Sequence, residues 1–354
     1  MPEDRSTHFP NAEFDRSLVA WFKRDGRKLP WRETTDPYRI LVSELMLQQT
    51  QVATVLERYR RWFDRFFTVN ALAEAPESAV LREWQGLGYY QRARNLHQCA
   101  RMIVDHFGGV FPATVQDLSS LPGVGRYTAG AIMSFAFDRP APIVDANVAR
   151  VLSRLMDLQR PIDGGSGKKE LWDAAARYSA GTHASLRNSA LMELGALICI
   201  PRKPRCVICP VRTFCRARDP ESLPKKRPRP VIERRIERFL FIRRFNQILV
   251  QQNTGNRWRG LWSLPKRLGT ETCDNSAEPI VTLRHPITRF VVRLEVFQAA
   301  PPSVLEEGQR WCAIQELDEL PMPSPHRCAV ERALSLGRLT AAPTCENRKP
   351  KTEN

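Results

Sequence analysis

Two acidic residues occupy positions where acids are uncommon in a helical pattern. Glu44 lies four residues after Ile40 and three after Leu41, so it shares the apolar face of that helical stripe. It is either solvated at the edge of a slightly rotated stripe or a buried carboxyl whose raised pKa suits proton donation near neutral pH. Asp145 directly precedes a strongly amphipathic stretch, where the role of a helix N-cap would by itself explain it. The sequence therefore holds two candidate acid–base groups.

A glycine-rich turn offers a second kind of chemistry. In the run Leu121-Pro-Gly-Val-Gly-Arg-Tyr-Thr, Gly123 and Gly125 flank a tight turn that opens a helix. Backbone N–H groups at such a helix start can cradle a phosphate. The pattern predicts a helix-hairpin-helix that grips the DNA backbone without reading base sequence; a plain connection between two helices is the alternative.

Four of the nine cysteines are clustered in the sequence, at Cys199, Cys206, Cys209 and Cys215. Four thiols this close together indicate a metal site, because unpaired thiolates are exposed to oxidation. Zinc favours two pairs with short internal gaps, whereas a 4Fe-4S cluster accepts less regular gaps. The spacing leaves both open, and the other five cysteines read as small apolar residues.

The elements that must position these groups follow from the hydrophobic pattern. From about Glu13 to Cys199 the apolar spacing predicts helix after helix, one of them starting at Asp36-Pro37. After a proline-rich basic segment the period changes to short β-rich runs at 239–243, 247–251 and 290–297, which predict a mostly antiparallel α+β second domain. We expect a helical catalytic region over 13–222, a linker over 223–232, the second domain over 233–340 and a flexible tail over 341–354.

Composition bounds the class of protein. The chain has 354 residues, 42% hydrophobic and 26% charged, which is typical of a folded chain with two domains. A formal charge of +16 points to a polyanionic partner, and residues 201–238 hold 13 Lys or Arg against 4 acids. No apolar run approaches a membrane span and the start does not read as a signal peptide, so a cytoplasmic protein is expected.

The order of these features, a glycine hairpin, an aspartate and a four-cysteine loop, resembles the endonuclease III superfamily of helix-hairpin-helix DNA glycosylases from about residue 13 to 220. Leu29-Pro-Trp-Arg32, the run from Asp36 to Gln51, Gly86-Leu-Gly-Tyr-Tyr90 and the long second domain are similar to its adenine DNA glycosylase branch, the MutY type. The resemblance implies a 4Fe-4S cluster on the four cysteines and a Nudix-like second domain. No Nudix catalytic box is present, so nucleotide hydrolysis is not implied.

The resemblance also implies roles for individual residues in excising a mispaired adenine flipped from the duplex. Glu44 matches the proton donor and Asp145, at a helix start that favours its ionised form, the group that stabilises the cationic sugar. Tyr127 and Asn147 match residues that support these two acids. The matched DNA-facing residues comprise the adenine-pocket wall at Trp31, Arg32 and Leu47, and the helix-filling residues Gln49 and Tyr89.

Tyr127 stands where bifunctional relatives carry a Schiff-base lysine, so a monofunctional enzyme is expected. A bifunctional pyrimidine glycosylase of the endonuclease III type and a non-catalytic DNA-binding module with a structural metal are the rivals. The family's usual His-x-Phe-Ser-His, which reads 8-oxoguanine opposite adenine, stands here as His285-Pro-Ile-Thr288-Arg289. The second histidine is lost, and an altered preference, for instance for 8-oxohypoxanthine, is expected. The alternative is that a neighbour such as His285 takes over its role and the specificity is ordinary. The expected partner is mispaired duplex DNA, bound by a monomer at the nucleoid.

Overall fold

The computed structural model describes residues 11–228, 231–255, 257–267, 278–287 and 290–336. The chain divides into two compact units. The first unit comprises the described residues up to Glu74 together with Asn95–Pro228. The second comprises Ala75–Arg94 together with the described residues from Val231 onward.

The first unit is built from helices, as the apolar spacing predicts. Its helices are α1 (Ala12–Asp25), α2 (Pro37–Leu47), α3 (Val52–Arg65), α4 (Val69–Glu74), α7 (Val115–Ser120), α8 (Arg126–Phe135), α9 (Ala146–Leu155), α10 (Gly165–Ser179) and α11 (Ala184–Leu197). The second unit contains α5 (Glu77–Glu83), and α6 (Gln91–Phe107) begins in the second unit and continues in the first.

Helix starts and apolar stripes explain how these helices form and pack. Asp36 caps α2 by accepting a hydrogen bond from the Tyr38 N–H, with Pro37 at the first helical position. The apolar stripe of α9 is buried against α1, α10 and α11 in one core. Members of that core include Phe14, Leu18, Val148, Val151, Leu152, Leu155, Leu171, Tyr178, Leu191 and Leu194.

The second unit is organised around a sheet. Its strands are β1 (Glu233–Arg244), β2 (Gln247–Gln252), β3 (Trp262–Ser263), β4 (Val281–Ile287), β5 (Phe290–Ala299) and β6 (Gln309–Ala313), followed by α12 (Ser324–Leu336). The strand order is β3-β2-β1-β5-β4, and β6 pairs with the other side of β2. A core between one sheet face and α12 includes Phe239, Phe241, Leu294, Ala329 and Val330.

The sheet is mostly antiparallel, as expected, but it contains one parallel pairing. The longest pairing, of Glu233–Ile242 in β1 with Phe290–Ala299 in β5, is parallel, while the β1–β2, β2–β3, β2–β6 and β4–β5 pairs are antiparallel. The sheet is therefore mixed. Strand periodicity shows which residues face a core, but not which distant strand becomes a neighbour.

The basic segment after Leu223 forms no helix or strand through Pro228, as its prolines predict. It is hydrogen-bonded to the segment just before α10. The Ile162 N–H donates to the Lys225 carbonyl at 3.0 Å, and the Arg227 N–H donates to Asp163 Oδ2 at 3.0 Å. Residues 337–354, which include the expected tail, lie outside the described part of the chain.

Candidate active site

Glu44 is a buried carboxyl, not a solvated one. Its helix is buried on nearly all sides from Ile40 to Met46, and Glu44 itself is only 5% exposed. Burial raises its pKa to about 7, and the charge of Asp145 adds to the rise, while a hydrogen bond with Tyr127 and the charge of Arg32 oppose it. Glu44 can therefore hold a proton near neutral pH and release it within the same range.

Asp145 is both a helix cap and a wall residue of the site. Its Oδ1 accepts from the Val148 N–H at 2.6 Å, which caps α9, and its Oδ2 accepts from Asn147 Nδ2 at 3.2 Å. Burial raises the pKa of Asp145, although these hydrogen bonds and the charge of Arg150 lower it. The expectation that the helix start would favour its ionised form is thus outweighed by burial.

Tyr127 connects the hairpin to the acids. It lies in the first turn of α8, directly after the glycine turn, and its side chain is hydrogen-bonded to Glu44. Burial raises the pKa of Tyr127 well above its ordinary value, as do the charges of Glu44 and Asp145. The phenol is therefore a neutral hydrogen-bonding partner, and α8 places it between the two acids.

These groups line one cavity of about 580 Å³, a volume suited to a small organic group. Of the residues predicted for the site, those that line it are Trp31, Arg32, Glu44, Leu47, Gln49, Tyr127, Asp145 and Asn147. Trp31 is fixed in the wall by an edge-to-face contact with Tyr59 at 5.4 Å. Gln49 is exposed at the mouth of the cavity with a backbone φ of 56°, in the left-handed region.

The side of the cavity formed by α11 holds a residue that sequence reasoning missed. Glu193 of α11 is fully buried and lines the same cavity. Arg27 donates to it from its backbone N–H, Nε and Nη2 at 2.9, 2.7 and 2.9 Å, and Arg32 Nη2 donates at 2.8 Å. Burial would raise the pKa of Glu193, but these hydrogen bonds outweigh it and lower the pKa to about 2. The sequence could have indicated Glu193, because it lies between the apolar residues Leu191 and Leu194 in the same kind of pattern by which Glu44 was identified.

Close packing of α11 fixes the start of α9. A Cβ on Gly195 would lie 2.7 Å from the Asn147 Cβ, so the two helices approach as only glycine permits. Arg150 then donates from Nη2 to Asn147 Oδ1 at 2.8 Å and to the Gly195 carbonyl at 2.7 Å. Its Nε donates to the Cys199 carbonyl at 2.7 Å. Asn147 is thereby held in position to donate to Asp145.

The glycine turn has the predicted form of two helices joined by a tight hairpin. Gly123 has a φ of 77°, and a Cβ there would lie 2.7 Å from the Asn95 side chain. Gly125 is the N-cap of α8, and no atom lies within 4 Å of a Cβ placed on it. The open backbone at the start of α8 leaves room for an anionic ligand such as a phosphate.

The four clustered cysteines surround one small pocket. Cys199 lies just after α11, and the other three lie in or next to two short 3₁₀ turns. All four line a space of about 20 Å³ with apolar residues of α9 and α11 behind it. Arg154 Nη1 donates to the Cys199 Sγ at 3.3 Å, which suits a thiolate ligand. Among the described residues, no three His, Cys, Asp or Glu side chains converge to hold a single metal ion.

Comparison with known proteins assigns the chain to a family. Residues 42–174 match the HhH-GPD superfamily of base excision DNA repair proteins. The adenine DNA glycosylase of Buchnera aphidicola subsp. Baizongia pistaciae is 36% identical over 260 residues, 72% of this chain and 73% of that protein. The chain belongs to the adenine DNA glycosylase family.

Other relatives match a smaller share of the chain. The adenine DNA glycosylase of Rattus norvegicus is 44% identical over 213 residues, 58% of this chain but 41% of its own length, so the chain spans about two fifths of that relative. A solved thermostable thymine-DNA glycosylase is 33% identical with a TM-score of 0.51, over 57% of this chain and 94% of its own. The helix-hairpin-helix glycosylase fold is thus shared beyond the adenine branch.

This adenine DNA glycosylase family member carries its remaining predicted residues in the second unit. Tyr89 is 48% exposed with a φ of 47°. His285 lies on β4, and neither ring nitrogen has a hydrogen-bond partner among the described residues. Burial lowers the pKa of His285, as does the charge of Arg257. Thr288 and Arg289 lie outside the described residues. No helix within the described ranges is both long and apolar enough to cross a membrane.

Proposed function

We propose that this protein is a monofunctional DNA glycosylase that hydrolyses the N-glycosidic bond of adenine mispaired with an oxidised purine in duplex DNA. The observation that carries the proposal is the pair of carboxyls in one cavity. Glu44, with its pKa raised to about 7, faces the same space as Asp145. Glycoside hydrolysis by two carboxyls needs one to give a proton and the other to stabilise positive charge on the sugar.

The reaction then proceeds on residues of this chain. Glu44 donates its proton to a ring nitrogen of adenine, the C1′–N9 bond breaks and its electron pair leaves with the base. The Asp145 carboxylate stabilises the cationic sugar, and water adds to C1′ with loss of a proton. The proton lost by the water passes to the Glu44 carboxylate, which restores the acid. Tyr127 and Asn147 hold the two acids through the hydrogen bonds described above. The non-catalytic DNA-binding reading does not account for both acids in one cavity.

The side of the cavity formed by α11 suits the polar edge of adenine. The exocyclic amine of adenine donates hydrogen bonds and its ring nitrogens accept them. Glu193 is a buried acceptor and Arg32 a donor on the same wall. We propose that this pair orients the extruded base while Trp31 and Leu47 provide apolar contact.

Product analysis on duplexes with adenine opposite each of several purines tests the activity and the opposite base together. Free adenine and an abasic strand are expected, without strand cleavage. Trapping with borohydride should give no covalent adduct, because Tyr127 stands where an amine would be required. A trapped adduct would instead favour the bifunctional reading.

The hairpin and the basic segment are proposed to hold the DNA backbone. Gly125 leaves the start of α8 open, and residues 201–238 carry 13 basic residues. Binding that releases counterions weakens steeply with salt. If the duplex affinity did not depend on salt concentration, these residues would not be the DNA-binding surface.

The four cysteines fit a 4Fe-4S cluster, since four thiols line one pocket and Arg154 donates to Cys199. Cys199, Cys206, Cys209 and Cys215 would hold it, and the bound cluster would supply a fixed structural centre for the loop. Purified protein is expected to be brown and to contain iron; stoichiometric zinc without iron would refute this assignment.

The second unit is proposed to be a Nudix-like domain that reads the base opposite adenine. Thr288 keeps a hydroxyl, whereas Arg289 has only donors and cannot accept from the 2-amino group of 8-oxoguanine. We therefore propose a weaker preference for 8-oxoguanine and a relative gain for 8-oxohypoxanthine, by roughly tenfold to a hundredfold. Excision rates opposite 8-oxoguanine, 8-oxohypoxanthine and guanine decide it. We also propose that the protein is a monomer that lies in the cytoplasm, associated with the nucleoid. Sedimentation with and without duplex DNA tests whether it is monomeric.

A further inference from the structure

The loop that carries Tyr89 is held in a costly conformation. This segment, residues 84–90, is here called the Tyr89 loop. Tyr89 has a φ of 47°, in the left-handed region that side chains other than glycine rarely adopt. Trp84 Nε1 donates to the Gly88 carbonyl at 3.0 Å across the loop. Such a conformation persists only where the surroundings fix it.

Residues near the C-terminal end of the described chain fix this loop on both sides of Tyr89. The Gln85 side-chain oxygen, in the amide orientation that satisfies both groups, accepts from Arg327 Nε at 2.6 Å. The Tyr90 hydroxyl donates to the Met322 carbonyl at 3.3 Å. All of these residues belong to the second unit.

Arg327 is itself fixed. It lies in the first half of α12, and its side chain is 17% exposed. Its Nη2 donates to the carbonyls of Leu320 at 2.7 Å and Leu317 at 3.0 Å, and its Nη1 donates to Asp318 at 3.2 Å. A guanidinium group held by this many fixed acceptors has one orientation, so its Nε–H is held in a fixed position toward Gln85.

We infer that Arg327 is a positioning residue that sets the Tyr89 side chain through Gln85, so that α12 of the second unit determines how Tyr89 meets the duplex. The inference rests on the proposed function, in which Tyr89 enters the helix as adenine leaves it. Arg327 need not touch DNA. Its loss loosens the Tyr89 loop on the Gln85 side, although the Trp84 and Tyr90 hydrogen bonds remain. Base extrusion then becomes slower while phosphate contacts remain.

Gln85→Met removes this link without disturbing the contacts of Arg327 to Leu317, Asp318 and Leu320. The readout is the fluorescence rise of 2-aminopurine placed at the adenine position when the duplex binds, followed by single-turnover adenine excision. We expect about a tenfold fall in the extrusion rate, with duplex affinity changed less than about twofold and an unchanged melting temperature. Arg327→Lys, which keeps the charge but not the fork, is expected to give the same loss, and Arg244→Ala on β1 is the matched control.

The double variant with Tyr89→Ala decides the mechanism. If Gln85 acts through Tyr89, Gln85→Met has no further effect once Tyr89 is alanine. Multiplicative losses, an inert Gln85→Met, or an inert Tyr89→Ala would each overturn the inference. Normal extrusion without adenine release would count against the proposed chemistry alone, because fluorescence reports extrusion independently of bond cleavage.

Discussion

The two walls of the cavity carry the same chemical group in opposite states. On one wall Glu44 is buried without a hydrogen-bonded cation, and its pKa rises to about 7. On the wall formed by α11, Glu193 is also buried but accepts four hydrogen bonds from Arg27 and Arg32, and its pKa falls to about 2. Burial raises both pKa values; the difference lies in the guanidinium partners. One wall therefore provides a proton and the other a permanent negative charge.

The largest effect is expected from a change at Glu44, which removes the proton donor from its wall of the cavity. Glu44→Gln keeps the size and removes the proton that the base needs. We expect adenine release to fall by roughly 10³-fold, within the range of general acid catalysis, while duplex affinity stays within about a few fold because many groups hold phosphates. Single-turnover excision and duplex binding measure the two effects. Full activity of this variant would end the assignment of Glu44 as proton donor.

Asp145→Asn separates chemistry from helix capping on the same wall. Asparagine still caps a helix, so the melting temperature should stay close to that of the parent protein. Excision is expected to fall by roughly 10²-fold or more, since a neutral amide cannot stabilise a cationic sugar. Asp36→Asn at the start of α2 is the matched control, because Asp36 caps a helix but does not line the cavity. An equal loss in both variants would mean that capping alone explains Asp145.

Glu193→Gln tests the wall formed by α11. The change leaves two arginines beside a neutral amide in a buried position, and we expect a loss of about 3 kcal/mol in the free energy of unfolding. Urea unfolding at pH 7 measures it, with Glu44→Gln as the comparison variant. Unaltered stability would show that the ion pairs of Glu193 are replaceable by solvent.

The pH dependence of excision sharpens the contrast. Because Glu44 must be protonated to donate and its pKa is about 7, the single-turnover rate is expected to fall above pH 7, approaching about tenfold per pH unit. Glu193, with a pKa of about 2, stays charged over this range and adds no inflection. The rate in Glu193→Gln should therefore keep the same pH profile, whereas an inflection that moves in that variant would place the titrating group on the other wall.

The smallest expected effect is on stability as a function of pH. The folded-state pKa of Glu44 lies above its ordinary value of 4.5, so its contribution is full below pH 4.5 and is lost as the pH rises through about 7. Glu44→Gln is then expected to be more stable than the parent at pH 8 by about 1 to 3 kcal/mol, with a smaller difference at pH 5. Glu193 has the opposite sign, since its contribution is present above pH 4.5 and is lost as the pH falls through about 2. Unfolding at the two pH values checks both signs.

Much of the helical unit follows from local sequence. The Asp36-Pro37 start, the apolar stripe of α9 and the glycine hairpin are each determined by residues within a few turns of one another. The resemblance to a known family also named Trp31, Arg32 and Leu47, although for Trp31 and Leu47 taken alone ordinary core packing was the better explanation. In the second unit, periodicity predicted β1, β2 and β5 but not the parallel pairing of β1 with β5, because their partnership depends on residues more than fifty positions apart.

The sequence by itself determined which groups the chain has: two acids in apolar or capping positions, a glycine turn and four cysteines. Only the tertiary structure decided how deeply those groups are buried and which charges lie beside them. Glu44 lies on an apolar stripe whether it is solvated or buried. Its pKa depends on its burial and on Tyr127 and Asp145, which only the folded chain brings near it. Glu193 became an anion because Arg27, 166 residues earlier, folds against it. A pKa is set by the solvent that folding removes and by the charges that it brings near, and neither is a property of the local sequence.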